Sequence, residues 1–314
     1  MRDIRIVFMG TPEFAVTILK RIILKEYNVV GVITAPDKPA GRGRKVNQSA
    51  VKKFAVENNL KVLQPTNLKS EDFLKELKKL NANLQVVVAF RMLPKSVWKM
   101  PKYGTFNLHA SLLPEYRGAA PINWAIINGE TKTGVTTFFI DEKIDTGEII
   151  LQKECSINDN ENAGELHDKL MNLGAKLVTK TIKRIKKDKI STKPQPKREE
   201  KHAPKIFKDT CEIDWNDSLD NIHNKIRGLS PYPVSWTTLY NGDQKTELKI
   251  HKSKKHIEQH QFEVGTVIHS KKELKVAVIG GFILIEDLQL SGKRKMDVIS
   301  FNNGFKFKTP IKLS

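Results

Sequence analysis

Apolar positions along the first 150 residues switch repeatedly between two periods. Ile4–Met9 is a short apolar run ending at Gly10, and Glu13–Lys25 carries Phe14, Ile18 and Ile22 at helical spacing. Val29–Thr34 and the shorter Lys61–Gln64 read as strands. Ser70–Leu80 opens on a capping serine and two acids, then sets Phe73, Leu74, Leu77 and Leu80 along one face, which predicts a helix. Leu84–Phe90 is almost unbroken in its apolarity, the pattern of a strand buried on both faces, and Thr105–His109 and Thr136–Ile140 complete the series. Strands alternating with helices predict an α/β fold with a Rossmann-like, mostly parallel sheet. Gly10-Thr11-Pro12-Glu13 lacks the second and third glycines of a dinucleotide fingerprint. It reads as a tight strand-to-helix turn, with Pro12 near the first helical position, and disfavours a dehydrogenase.

The pattern changes after residue 190. Ser191–Pro204 holds three prolines and alternating charge, so it cannot form a regular helix and reads as an exposed linker. Beyond it lie Cys211–Trp215 and a helix from about Ser218 to Arg227. Short runs rich in strand formers follow: Val234–Tyr240, Thr246–His251, Gly265–Ser270, Leu274–Ile279 and Phe282–Leu288. Gly242, Gly265, Gly280-Gly281 and Gly292 punctuate them, which suggests a small OB-like β-barrel. The expected organisation is an N-terminal domain over 1–190, a basic proline-rich linker over 191–207 and a C-terminal barrel domain over 208–314.

Composition narrows the setting. The 314 residues are 39% hydrophobic, enough for a sizeable core, yet no apolar run reaches the roughly 18 to 20 residues that span a bilayer. Cys155 and Cys211 give neither a disulfide framework nor zinc-ligand spacing. The expectation is a soluble, cytoplasmic, monomeric protein with no membrane contact and no metal. Net charge is +19, which favours a polyanionic partner, although codon bias toward lysine would also raise it. Its distribution decides: residues 176–208 hold thirteen Lys or Arg against Asp188, Glu199 and Glu200, a net +10 that uniform drift would not concentrate. This stretch is expected to meet nucleic acid.

Candidate chemistry sits in one segment. Asn107 and His109 are two residues apart on a strand and so share a face. Ser111-Leu112-Leu113-Pro114 follows at once, and Arg117-Gly118-Ala119-Ala120-Pro121 then starts a helix. The loop Asp141–Gly147 supplies Asp145, a carboxylate that can orient the imidazole. An amide, an imidazole and a carboxylate at the carboxyl edge of an open sheet can hold an oxyanion and move a proton, as acyl or formyl transfer requires.

These segments resemble the methionyl-tRNA formyltransferases, within the folate-dependent formyltransferases. The likeness rests on Phe8-Met9-Gly10-Thr11-Pro12-Glu13-Phe14-Ala15, on Pro36–Lys45, on Asn107–Pro114 with Arg117–Ile122, and on Asp145-Thr146-Gly147. It extends into the tail, through Ile213-Asp214-Trp215, Ile226-Arg227 and Ser230-Pro231-Tyr232-Pro233. The resemblance implies Asn107, His109 and Asp145 as the catalytic set, with the 208–314 domain binding tRNA. It implies 10-formyltetrahydrofolate as co-substrate along Ser111, Leu112, Leu113 and Pro114, beside Phe90, Met92, Leu93 and Asp141. It implies initiator Met-tRNA as acceptor, met by the basic loop bearing Lys38, Arg42, Arg44 and Lys45, with Arg42 as the reader of the acceptor end. The family more often has tyrosine and glycine where Phe90 and Arg91 stand, and a small residue in place of Lys143. A sugar-nucleotide formyltransferase is the nearest alternative, since it shares the catalytic three without needing the basic loop. A basic RNA-binding protein on an inactive scaffold is a more distant one, against which the intact triplet argues.

Overall fold

A computed structural model describes residues 1–40, 45–196 and 201–314. The chain forms two compact units. One joins Met1–Gly118, Thr133–Cys155 and His167–His202; the other joins Ala119–Lys132, Ser156–Leu166 and Ala203–Ser314. The polypeptide therefore makes two excursions into the second unit before entering it for good.

The elements of the first half run β1 (Arg5–Gly10), α1 (Glu13–Leu24), β2 (Asn28–Ile33), β3 (Lys38–Ala40), β4 (Lys45–Asn47), α2 (Ala50–Glu57), β5 (Val62–Leu63), α3 (Glu71–Lys79), β6 (Leu84–Val88), α4 (Lys95–Trp98), β7 (Thr105–His109) and β8 (Arg117–Gly118). Then come α5 (Pro121–Ile127), β9 (Lys132–Phe139), β10 (Ile149–Ser156) and α6 (Ala163–Lys186). Seven strands form one sheet in the order β10-β9-β7-β6-β1-β2-β5. β1 runs parallel to β2 and β6, β2 to β5, and β6 to β7, whereas β9 is antiparallel to β7. This is the mostly parallel sheet that the alternating pattern predicts. All five β6 residues are buried, and Gln85, the polar one, accepts a 2.9 Å hydrogen bond from Thr105 Oγ1. Ser70 stands at the head of α3 without capping it; its hydroxyl is turned to the preceding chain instead, where it donates to the Asn67 carbonyl at 3.1 Å.

In a parallel sheet the carboxyl ends of the strands share one edge, where Gly10 closes β1 and His109 closes β7. Helix α6 backs this arrangement. Leu170, Ala175, Val178, Ile182 and Ile185 are buried on it, and Thr181 Oγ1 lies 2.9 Å from Thr137 Oγ1 of β9. Gly174 lets the helix approach β7, since a Cβ there would come within 2.7 Å of Leu108 Cδ2.

The second unit continues through β11 (His202–Ala203), α7 (Leu219–Leu229), β12 (Ser235–Asn241), β13 (Gln244–His256), β14 (Val267–His269), β15 (Leu274–Val278), β16 (Gly281–Leu290), β17 (Met296–Asp297), α8 (Val298–Gly304) and β18 (Ile311–Leu313). Its main sheet is ordered β14-β15-β16-β13-β12-β18 with antiparallel pairing. A bridge between Thr266 and Lys312, and a 2.9 Å hydrogen bond from Leu313 N to the Gly265 carbonyl, draw its two edges together into a nearly closed, OB-like barrel. Leu248, Ile250, Val276, Ile283 and Leu288 fill the interior with Trp215, Ile222 and Ile226. Trp215 satisfies its indole N–H on Thr237 Oγ1 at 2.9 Å. Among the described residues no helix is long and apolar enough to cross a membrane, and no group of His, Cys, Asp or Glu is arranged to hold a metal ion.

Gly174→Leu overpacks the contact between α6 and the strand that carries Asn107 and His109. The expected loss is about 1 to 3 kcal/mol of stability, read as a lowered urea midpoint; an unchanged midpoint would mean that the helix stands off β7.

Candidate active site

β7 sits inside the sheet, with Asn107 paired to Val87 on one side and Phe138 on the other, and His109 opposite Thr136. Period-two alternation turns Asn107 and His109 to the same face. His109 is buried, at 6% exposure, while Asn107 is half-buried. His109 Nε2 lies 2.8 Å from the Tyr116 carbonyl, which can only accept, so Nε2 carries the proton. Nδ1, the nitrogen free to take a second proton, faces Asp145 Oδ2 at 3.8 Å. That separation is too long for a direct hydrogen bond, and the carboxylate attracts the ring once Nδ1 has taken a proton. The Asn107 side-chain amide has no hydrogen-bond partner among the described residues, so its donors are open to a ligand.

The loop that brings Asp145 here is strained and held. Asp145 adopts φ +55, the left-handed region that few residues other than glycine enter. Its carboxylate accepts from Gly118 N at 3.1 Å, and its carbonyl accepts from Arg117 Nε at 3.0 Å and Gln195 Nε2 at 2.8 Å. Gln195 also donates to the Gly147 carbonyl at 2.8 Å and accepts from Arg117 Nη2 at 2.6 Å. Gly147 is required by close approach, because a Cβ would sit 1.7 Å from the Phe139 carbonyl oxygen. Asp141 is exposed and shapes the same loop, accepting from Lys143 N at 3.1 Å and Thr146 Oγ1 at 2.7 Å. Beside it, the Lys95 ammonium holds the Glu142 carboxyl below the usual carboxylate range.

Ser111–Pro114 is pinned against the neighbouring strands. Ser111 is fully buried and its hydroxyl donates to the Glu115 carbonyl at 2.6 Å. Thr136 Oγ1 donates to the Ser111 carbonyl at 2.7 Å and accepts from Leu113 N at 3.1 Å, while Gln152 Nε2 donates to the Leu113 carbonyl at 2.9 Å. Leu113 and Pro114 are buried and Leu112 is half-buried. The side chains of this turn are thus committed inward. Of the expected apolar lining, Phe90 is half-buried, Leu93 belongs to the core, and Met92 is 74% exposed. Arg91, which stands where the resemblance leads one to expect glycine, donates to the Pro65 carbonyl and, at 3.0 Å, to the Thr66 carbonyl.

The basic loop is a hairpin at its base. β3 and β4 pair Lys38 with Asn47 and Ala40 with Lys45. Lys38 is exposed; Lys45 lies on the returning strand; Arg42 and Arg44 lie outside the described residues. Asp37 anchors the base by an ion pair with Lys52 and a 2.8 Å hydrogen bond from Gln64, and the Lys52 contact holds its carboxyl below the usual range.

A profile of the formyl transferase family matches residues 4–182, and one of the formyl transferase C-terminal domain matches residues 205–306. The methionyl-tRNA formyltransferase of Flavobacterium johnsoniae is 59% identical over the whole of both chains. The chain belongs to the methionyl-tRNA formyltransferase family. The Flavobacterium psychrophilum member is 56% identical over 98% of both chains. A solved structure of WlaRD, a sugar 3N-formyl transferase determined in the presence of dTDP and 5-N-formyl-THF, shares the fold with TM-score 0.67 and 24% identity, covering 94% of this chain and all of that one.

Two contributors to this family member's site escape sequence reading. Tyr116 acts through a backbone carbonyl, for which side-chain identity gives no sign. Gln195 stands in a segment read as linker, 50 residues from the loop that it holds. Replacing it with alanine removes two of the hydrogen bonds that keep the Asp145 turn in place. Gln195→Ala should slow single-turnover formyl transfer at least tenfold while the urea midpoint stays within the equivalent of about 1 kcal/mol of the parent; an unchanged rate would show that Arg117 and Gly118 suffice.

Proposed function

We propose that this enzyme transfers the formyl group of 10-formyltetrahydrofolate to the α-amino group of methionine on initiator tRNA, giving formylmethionyl-tRNA for translation initiation. The observation that carries the reading is the open Asn107 amide beside the His109–Asp145 pair, in a chain with full-length methionyl-tRNA formyltransferase relatives. When bound, the folate supplies an activated one-carbon unit. A free α-amine has a pKa of about 7.7 to 8, so a useful fraction is an uncharged nucleophile near neutral pH. As it attacks the formyl carbon, negative charge grows on the formyl oxygen. Asn107 donates to that oxygen, and losing such a donor costs on the order of 10² to 10³ in rate. The nitrogen that attacks must lose a proton and the nitrogen that leaves must gain one. His109 Nδ1 is the group to carry it, with Asp145 balancing the charge on the ring.

For the donor, the pinned turn of Ser111, Leu112, Leu113 and Pro114 offers a fixed wall against which a pterin ring can lie. Phe90, Met92 and Leu93 offer apolar surface, exposed Met92 most directly, and Asp141 keeps its loop in shape alongside. For the acceptor, Arg42 addresses the end of the tRNA with paired guanidinium donors, and Lys38, Arg44 and Lys45 attract its phosphates less specifically. The Asp37–Lys52 pair gives this hairpin a fixed base from which to reach.

The test offers labelled 10-formyltetrahydrofolate with Met-tRNA, with a 4-amino sugar nucleotide, or with no acceptor. Label should move to Met-tRNA, and Asn107→Ala should cut that transfer on the order of 10² to 10³ with circular dichroism unchanged. Transfer to the sugar instead would establish the alternative reading, and near-parental turnover by the alanine variant would remove Asn107 from the chemistry.

A further inference from the structure

Lys176, Lys180, Lys183 and Lys187 are spaced four, three and four residues apart on and just past α6, so they form one stripe along a helix face. With Lys25, Lys186, Tyr27, Glu26, Met1 and Thr179 they line a groove of about 530 Å³. Glu26 is the one acid among these residues, and none of the six lysines forms an ion pair among the described residues. Like charges at these spacings work against the helix. The helix dipole favours cations at a carboxyl terminus, which accounts for Lys183, Lys186 and Lys187, but its effect fades before Lys180 and Lys176. The upper half of the stripe therefore has no partner within the protein that explains it.

The groove lies on the edge of the sheet away from the catalytic residues. Lys25, Glu26 and Tyr27 join the end of α1 to the start of β2, Met1 precedes β1, and Arg2 N donates at 2.9 Å to the Lys186 carbonyl, tying the end of α6 to the same place. These are the amino ends of the parallel strands, whereas His109 closes β7 at the carboxyl end. The stripe from Lys176 to Lys187 extends about 16 Å at the α-helical rise, longer than a single phosphate group and suited to several consecutive backbone phosphates. Flexible lysines, exposed at 176, 180, 183 and 187, suit a sequence-independent backbone better than one small, fixed ligand. A concave groove also fits a rod-like strand or duplex better than a flat layer of lipid headgroups.

We propose that this groove docks the phosphate backbone of a second RNA, distinct from the methionine-bearing acceptor end handled at the opposite edge. The inference rests on the proposed function only for where the acceptor end goes.

The probe is a labelled RNA duplex without a CCA end, bound to the full chain over a range of KCl concentrations. The assay contains no folate and no aminoacyl group, so its outcome is independent of whether formylation is assigned correctly. Simultaneous Lys176→Gln, Lys180→Gln, Lys183→Gln and Lys187→Gln substitutions should weaken binding at least tenfold and lower the log–log salt slope by roughly 3, at about 0.7 to 0.9 per phosphate contact. The corresponding Lys→Arg set should retain binding, which separates charge from folding. Binding of the duplex should persist when Met-tRNA is saturating, and the KM for Met-tRNA should be unchanged in the glutamine variant. An unchanged salt slope would overturn the proposal. So would competition between duplex and Met-tRNA together with a raised KM, which would give the groove to the substrate tRNA itself. Binding to phosphatidylglycerol vesicles that the substitutions abolish, with RNA binding intact, would reassign it to a membrane surface.

Discussion

The left-handed turn at Asp145 is the constraint around which the site is organised. A carboxylate faces the buried imidazole from the loop that follows β9, and the residue that carries it holds a left-handed backbone there. The strain is offset by convergence: the Gly118 amide takes the carboxylate, and Arg117 and Gln195 take the carbonyl. Gly147 permits the close return of the chain over Phe139. Arg117 and Gly118 lie in the same segment as His109, whereas Asp145, Gly147 and Gln195 come from elsewhere in the chain, so the geometry is a product of the fold rather than of one motif.

The sheet supplies the other half. A parallel arrangement collects strand ends on one edge, and β7 ends there with an amide and an imidazole on the same face. Asn107 keeps its amide free while neighbouring polar groups, Thr136, Ser111 and Gln152, satisfy one another. The contrast between a saturated turn and one unsatisfied donor marks where a ligand is to be met. The same topology leaves a second edge, where six lysines share a groove with one acid, Glu26.

Much of this was legible in the sequence for identifiable reasons. The sequence shows β7 with its observed bounds, Thr105–His109, because turns bracket a short run of clear alternation. The barrel strands were read from their glycine punctuation, although β17, α8 and β18 carry too little pattern to be seen. Along α6 the many lysines mask the apolar stripe of Leu170, Val178, Ile182 and Ile185, which the fold buries. Met92 and Leu93 are adjacent apolar residues in a loop, where no period says which one faces inward; the fold buries Leu93 and exposes Met92. The hairpin under the basic loop has strands of three residues, one of them with a proline, too short to declare themselves. Gln195 could not be found at all, because its role exists only once Asp145 has been folded beside it.

The central claim is that His109 and Asp145 act as one proton-handling unit. A double-mutant cycle on single-turnover formyl transfer, comparing His109→Ala, Asp145→Ala and the pair, tests it most directly. The account predicts that the double variant is no slower than His109→Ala alone. Losses that multiply across the pair would contradict it, leaving Asp145 a task of its own apart from the imidazole.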